Sequence, residues 1–202
     1  MDIIVLSLGS YLFGNINPAI SMTQIKKGID IRTVGRQNAG ATNAALTLGF
    51  KFGLLIALLD ILKGALPVLM ARLLYPENDA IWFLFGVMVM LGHMFPVFHQ
   101  FKGGKGIASL IGVLVTAAPL FGSTLLLVSI GLLLTTKYIT ISSVTAVIVT
   151  PVYVFISPYS NNAGWLMLGF MGISLFKQRK NIADIWHGRE VSLRQILKKI
   201  EK

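Results

Sequence analysis

Gly92-His93-Met94-Phe95-Pro96-Val97-Phe98-His99-Gln100-Phe101-Lys102-Gly103-Gly104-Lys105-Gly106-Ile107-Ala108 is the stretch from which the rest of the chain is read. It leaves one long apolar segment, breaks at Pro96, sets Gly103, Gly104 and Gly106 around Lys102 and Lys105, and enters a second apolar segment at once. Glycine lets a backbone N–H approach a ligand closely. A lysine among glycines adds a point charge, and a helix starting near Gly106 adds unpaired N–H groups and the positive end of its dipole. Those features suit a phosphate. The stretch is no nucleotide P-loop, because His99 stands where that pattern needs glycine and Gly106 where it needs a Ser or Thr for magnesium. Taken alone, the loop also reads as a glycine-rich turn between two membrane helices.

Hydrophobic residues make up 54% of the chain and charged residues only 13%, with mean hydropathy +0.74. A soluble domain carries roughly a quarter charged residues, so the chain reads as an all-α integral membrane protein. Residues 1–202 are expected to form a single domain. A spanning helix needs about 20 apolar residues, and seven segments are expected: 3–22, 52–74, 80–99, 107–118, 119–136, 139–158 and 163–178. The fourth and fifth share one apolar run broken at Ala118-Pro119, and the fourth is short enough for a partial span. The first segment lacks the basic start and small-residue cleavage site of a signal peptide. The absence of cysteine leaves the compartment undecided.

Orientation follows from lysine and arginine. Lys26, Lys27, Arg32, Arg36 and Lys51 fall between segments one and two, Lys102 and Lys105 between three and four, Lys137 between five and six, and a basic cluster follows segment seven. The opposite side holds Asp2, Glu77 and Asp79, with Arg72 near the end of segment two. The N-terminus is therefore expected outside and the C-terminus in the cytoplasm of a cell (inner) membrane. The net charge of +10 reads as membrane topology and attraction to anionic lipid. Without aromatic–basic interleaving, nucleic acid is not an expected partner.

Along the chain, Gly14-Asn15-Ile16-Asn17-Pro18 is too polar for a lipid-facing helix and is expected to face a protein interior or a cavity. The long loop 26–43 is dense in turn-forming residues, with Gly35, Asn38, Gly40 and Asn43 among them, and reads as a substrate-site loop or an interfacial connector. Asp60 and Lys63 share a helix face, and Asp60 lies ~13 Å past Lys51, near mid-bilayer; the pair reads as an internal salt bridge or an ion path. His93 stands one turn before the Gly-Lys loop, as a structural residue or a ligand contact. Thr140, Ser142 and Ser143 at the start of segment six read as caps or as phosphate ligands. No metal-ligand spacing and no cofactor motif is present in the sequence. Ser192 to Gln195 has capping-box spacing, and residues 183–202 are expected to form an amphipathic tail on the inner leaflet.

Three motifs in order carry a resemblance: Gly35-x-x-Asn38-x-Gly40-Ala41-Thr42-Asn43, then Gly92-His93-x-Phe95-Pro96-Val97-Phe98-x-x-Phe101-Lys102-Gly103-Gly104-Lys105-Gly106, then Asn181-Ile182-x(5)-Gly188-x-Glu190. Together they resemble the bacterial PlsY family of acyl-phosphate:glycerol-3-phosphate acyltransferases over nearly the whole chain. The resemblance implies a seven-helix enzyme with its site at the cytoplasmic face. It implies transfer of a fatty acyl group from acyl phosphate to carbon one of glycerol 3-phosphate, giving lysophosphatidate and phosphate. The donor would come from a partner phosphate acyltransferase of the PlsX type. An acyl phosphate is already activated, so no covalent nucleophile is needed, and no Ser-His-Asp order or cysteine supplies one. The site must hold two anions and stabilise a developing oxyanion. Lys105, His93 and Asn181 are the expected catalytic residues. Arg36, Asn38, Thr42, Asn43, Lys102, Gly103, Gly104, Gly106, Ser142 and Ser143 are the expected binding set. The leaving phosphate is implied as the base, with His93 the nearest side-chain alternative.

The chain departs from the family pattern at three places. Arg36-Gln37 stands where Ser-Gly is usual, Leu46 where Arg is usual, and Gln178 where His is usual. Arg36 is expected to replace the charge missing at position 46. The competing reading is a membrane binder or carrier of a phosphate-bearing solute, favoured by the Asp60/Lys63 pair and the broken segments around Pro119. The absence of related halves in the sequence opposes it.

Overall fold

Asn15, Ile16 and Asn17 interrupt the first apolar segment, and the helix does not survive them. In the computed structural model, which describes residues 2–193 and 195, α1 (Ile3–Gly14) ends at this break and α2 (Pro18–Lys27) begins beyond it. The cause is local. The Asn17 side chain accepts from the Ile20 N–H, and Pro18 at the first helical position needs no donor. The one helix expected over 3–22 is therefore two, and the polar residues at the break turn inward: Asn15 and Asn17 are buried.

After a short 3₁₀ turn (Ile31–Thr33) follow α3 (Ala41–Leu48), α4 (Phe50–Leu74), α5 (Asp79–Met94), a second 3₁₀ turn (Val97–His99), α6 (Ile107–Ala117), α7 (Pro119–Thr136), α8 (Ile139–Ile156) and α9 (Asn161–Trp186). Among the described residues, five stretches are long and apolar enough to cross a membrane: Ile3–Lys27 across its break, Phe50–Leu74, Asp79–His99, Pro119–Thr136 and Ile139–Ile156. α6 is a shorter apolar helix. α9 contains the expected segment 163–178 but runs on through Lys177, Arg179 and Lys180, because nothing breaks it before Gly188 (φ +66). α3 was not expected. It forms inside what reads as loop, capped at Gly40 and stopped by Gly49 (φ +97). Of the expected tail, Ser192 and Gln195 form the capping box, with Ser192 N–H donating to Gln195 Oε1 (2.8 Å) and Gln195 N–H to Ser192 Oγ (3.4 Å). Arg194 and residues 196–202 lie outside the described residues.

Helices approach closely where glycine permits it. A Cβ on Gly64 would stand 2.1 Å from Ser109 O, and one on Gly112 would stand 1.9 Å from Ile61 O, so α4 and α6 pack backbone to backbone. The largest apolar cluster joins α5, α6 and α9 through Phe83, Met90, Met94, Leu110, Leu114, Met167 and Phe170.

Within this packing lies a buried charged node. Lys63 Nζ donates to Ile16 O (2.7 Å), a carbonyl freed by the break after α1. It also lies 2.9 Å from Asp60 Oδ1 and 2.9 Å from His93 Nδ1. Asp60 and Lys63 thus form the internal salt bridge read from the sequence, closed on two further elements. Lys63→Met would leave the Asp60 carboxylate buried without its cation, a loss of about 3–5 kcal/mol. The thermal midpoint in detergent should fall markedly, and Asp60→Leu/Lys63→Met should recover most of it. A single variant as stable as the parent would refute this account.

Candidate active site

Phe95 and Pro96 end α5, and the chain turns back through Gln100 and Phe101, both at φ 58. Phe101 N–H donates to Pro96 O (2.9 Å), Gly103 N–H to Met94 O (3.2 Å) and Gly104 N–H to His93 O (3.1 Å). The loop therefore closes over the C-terminus of α5 and satisfies carbonyls that a helix end leaves open. A Cβ on Gly103 would stand 2.0 Å from His93 O, and one on Gly104 would stand 2.0 Å from His93 Nε2. These two glycines make room for the protein's own helix end. Their amides, expected to face a phosphate, are committed to it. Gly106 (φ +79) then redirects the chain into α6, whose first-turn amides have no partner within the helix. Arg32 fastens the loop from the other side: its guanidinium donates to His99 O (2.7 Å) while Asp30 holds the opposite edge.

The loop before α3 is organised by one side chain. Asn43 Nδ2 lies within hydrogen-bond distance of Ile31 O (2.8 Å), Val34 O (3.0 Å) and Asn38 O (3.0 Å), and Asn43 Oδ1 accepts from Arg36 N–H (2.8 Å). Asn17 Nδ2 adds a bond to Ala39 O (3.3 Å). Asn43 is fully occupied in shaping the loop.

Between these loops, α4, α7, α8 and α9 lies a cavity of about 340 Å³. Its wall includes Arg36, Asn38, Thr42, Asn43, His93, Lys105, Gly106, Ser142, Ser143 and Asn181. Ten of the thirteen expected residues thus meet in one place. Lys102 is exposed on the outer side of its loop, and Gly103 and Gly104 are buried behind the cavity. Apart from Asp60 and Ser129, the remaining wall is largely apolar, with Ile61, Ile107, Ile111, Leu126, Ile130 and Leu133.

The wall residues divide by what else they hold. Ser142 Oγ donates to Ser129 O (2.7 Å). Ser143 Oγ lies 2.7 Å from Gln178 Oε1 and 3.0 Å from Thr140 O, its one proton serving either. Arg36 is ion-paired with Glu190, which also accepts from Thr140 Oγ1 (2.9 Å). Arg36, expected to replace the charge missing at position 46, thus stands on the cavity wall paired with Glu190. By contrast, Lys105, Asn38, Thr42 and Asn181 have no side-chain hydrogen bond or ion pair among the described residues. Burial lowers the Lys105 ammonium to about 8, Arg36 pushes the same way, and Glu190 partly opposes them.

Sequence reasoning missed Asp60 as a neighbour of the site, 3.4 Å from His93 Nδ1 and on the cavity wall. Its intramembrane charge was visible, but not its meeting with His93. It also missed the roles of Glu190 and Thr140. Glu190 is brought in by a fold-back in which Glu190 N–H donates to Asp184 O (3.1 Å) and Leu193 N–H to Lys137 O (2.7 Å). The Asp60/Lys63 pair that favoured a solute path is closed on Ile16 and His93.

Comparison with known proteins agrees with this arrangement. Residues 4–188 match the family described as glycerol-3-phosphate acyltransferase. The chain is 35% identical to the glycerol-3-phosphate acyltransferase of Aquifex aeolicus over 94% of its own length and 98% of that protein's. It is 43% identical to that of Bacillus subtilis over 77% and 79% of the two chains. A crystal structure of PlsY, an integral membrane glycerol 3-phosphate acyltransferase in its glycerol 3-phosphate form, superposes with a TM-score of 0.89 at 34% identity, covering 94% of each chain. The lysophosphatidic acid form gives 0.87 at 32% identity, over 96% of this chain and 98% of that one. An all-helical membrane chain whose cavity joins polar groups to an aliphatic wall, this protein belongs to the glycerol-3-phosphate acyltransferase family.

Proposed function

We propose that this chain transfers a fatty acyl group from an acyl phosphate to the 1-hydroxyl of glycerol 3-phosphate, the first acylation of phospholipid synthesis. The oxygen of the hydroxyl attacks the acyl carbonyl carbon and the bond from that carbon to the phosphate oxygen breaks. The leaving phosphate takes the hydroxyl proton, giving lysophosphatidic acid and inorganic phosphate with no covalent enzyme intermediate. One observation carries the reading: the Lys105 ammonium, unpartnered among the described residues, stands in a cavity whose remaining wall is mostly aliphatic. A headgroup that is doubly negative and a long apolar chain are the two things such a cavity accommodates together.

In this reading Lys105, Asn38, Thr42, Asn181 and the first-turn amides of α6, with Gly106 at its start, hold phosphate oxygens, and His93 contacts the reacting group. Ser142, Ser143, Arg36 and Asn43 shape the wall. Gly103 and Gly104 set the height of Lys105, and Lys102 meets the substrate only on approach. The whole chain acts as one domain with seven crossings, α6 being the shortest. The N-terminus lies outside and the C-terminus in the cytoplasm, as the distribution of lysine and arginine supports. The cavity then opens at the cytoplasmic face of the cell membrane, where a PlsX-type phosphate acyltransferase supplies the donor.

Purified protein given an acyl phosphate and glycerol 3-phosphate should release phosphate and lysophosphatidic acid. Lys105→Ala should lower turnover by about 100-fold or more and leave the thermal midpoint near that of the parent. Full activity in that variant would remove Lys105 from the mechanism. Because Lys105 is cationic below about 8 and neutral above it, KM for glycerol 3-phosphate should rise as pH goes from 7 to 9. Binding above pH 8 should take up a proton, since a phosphate dianion favours the ammonium. Calorimetry in buffers of different ionisation enthalpy reads that proton; its absence would show that Lys105 does not face the phosphate.

A further inference from the structure

His93 is one of the few cavity residues whose hydrogen-bonding role is dictated by its surroundings. Nδ1 lies 2.9 Å from Lys63 Nζ and 3.4 Å from Asp60 Oδ1. Lys63 has two other neighbours at bonding distance, Ile16 O (2.7 Å) and Asp60 Oδ1 (2.9 Å). Both are pure acceptors. An ammonium has no acceptor capacity, so a charged Lys63 at 2.9 Å donates to His93 Nδ1. Charge balance favours that state. Asp60 needs one cation beside it, and an alkylamine holds a proton far more tightly than an imidazole. Nδ1 is then the acceptor and Nε2 carries the ring's hydrogen.

Nε2 is the nitrogen against which the Gly-Lys loop packs. A Cβ at position 104 would stand 2.0 Å from it and 2.7 Å from Ala39 O, so only glycine there leaves the ring where it is. Among the described residues Nε2 has no hydrogen-bond partner, and His93 lines the cavity.

We propose that Lys63, Asp60 and Ile16 O lock His93 in its neutral Nε2–H tautomer, and that His93 acts as a fixed hydrogen-bond donor to the oxygen that becomes negative during acyl transfer. A ring held this way has no lone pair at Nε2 and its other nitrogen is occupied, so it does not serve as the base for the glycerol hydroxyl. The donor role rests on the acyltransferase reading of the cavity. The tautomer does not, and it is read without substrate.

The tautomer is measured on the full chain in detergent, labelled with ¹⁵N-histidine and carrying His99→Gln and His187→Gln so that only His93 reports. If that background does not fold, the signal is assigned in the parent by its loss in His93→Gln. A pyrrole-type Nε2 and a pyridine-type Nδ1 at pH 7 are expected. An Nδ1–H tautomer or an imidazolium would overturn the proposal. The role is measured by turnover. Glutamine places an amide N–H near Nε2 and asparagine near Nδ1, so His93→Gln should stay within about tenfold of the parent. His93→Asn and His93→Ala should lose about 100-fold or more, with kcat falling more than KM rises. Equal losses in His93→Gln and His93→Ala, both folded, would overturn the donor role even with the tautomer as expected. Absence of acyl transfer in the parent would instead sink the reading of the cavity and leave the tautomer standing.

Discussion

An ammonium buried among apolar helices has to be surrounded by acceptors, and Lys63 finds them by joining parts of the chain that are far apart in sequence. It takes a carbonyl from the break after α1, a carboxylate from its own helix and a ring nitrogen from α5. Each contact constrains something else. Ile16 O is available only because Asn17 and Pro18 end one helix and start another. His93 is held at the end of α5, and its carbonyl and ring set where Gly104 can lie. Lys105 follows directly. The position of Lys105, unpartnered among the described residues, therefore depends on a polar cluster deep in the packing.

The cavity has two kinds of polar side chain, which do different work. Asn43, Ser142, Ser143 and Arg36 are engaged with the protein and act as masonry. Asn38, Thr42, Asn181 and Lys105 face it uncommitted among the described residues. A polar group without a partner in a confined site is costly. A ligand that supplies acceptors recovers that cost on binding, and the charge of Lys105 favours one that is anionic.

Much of the fold was legible because hydropathy marks apolar segments, and the starts of α4 to α9 fall within two residues of those expected. The misses have physical causes. Asn15–Asn17 advertised a buried polar site, yet hydropathy alone could not say that the helix stops there. α3 was hidden because it is only eight residues long and its first turn, Ala41-Thr42-Asn43, belongs to the motif read as loop. The glycines at 103 and 104 were read as facing a ligand. A missing Cβ makes room for something, and sequence does not say whether that is a phosphate or the chain's own helix end. Asn38 and Asn43 look alike in the motif, but only the contacts reveal that one is free and the other is the loop's keystone. Asp60 and His93 lie 33 positions apart in sequence, and no local pattern announces that they touch.

The fold-back that carries Glu190 has an effect on when the cavity wall can form. Arg36 stands on the cavity wall early in the chain, while its counter-charge arrives more than 150 positions later, on a segment pinned to Lys137 O. A chain emerging from the ribosome inserts its hydrophobic segments in turn, yet it cannot complete the wall around Lys105 until residue 190 is free to dock. The wall at Arg36 is thus finished only once two distant parts of the chain have met.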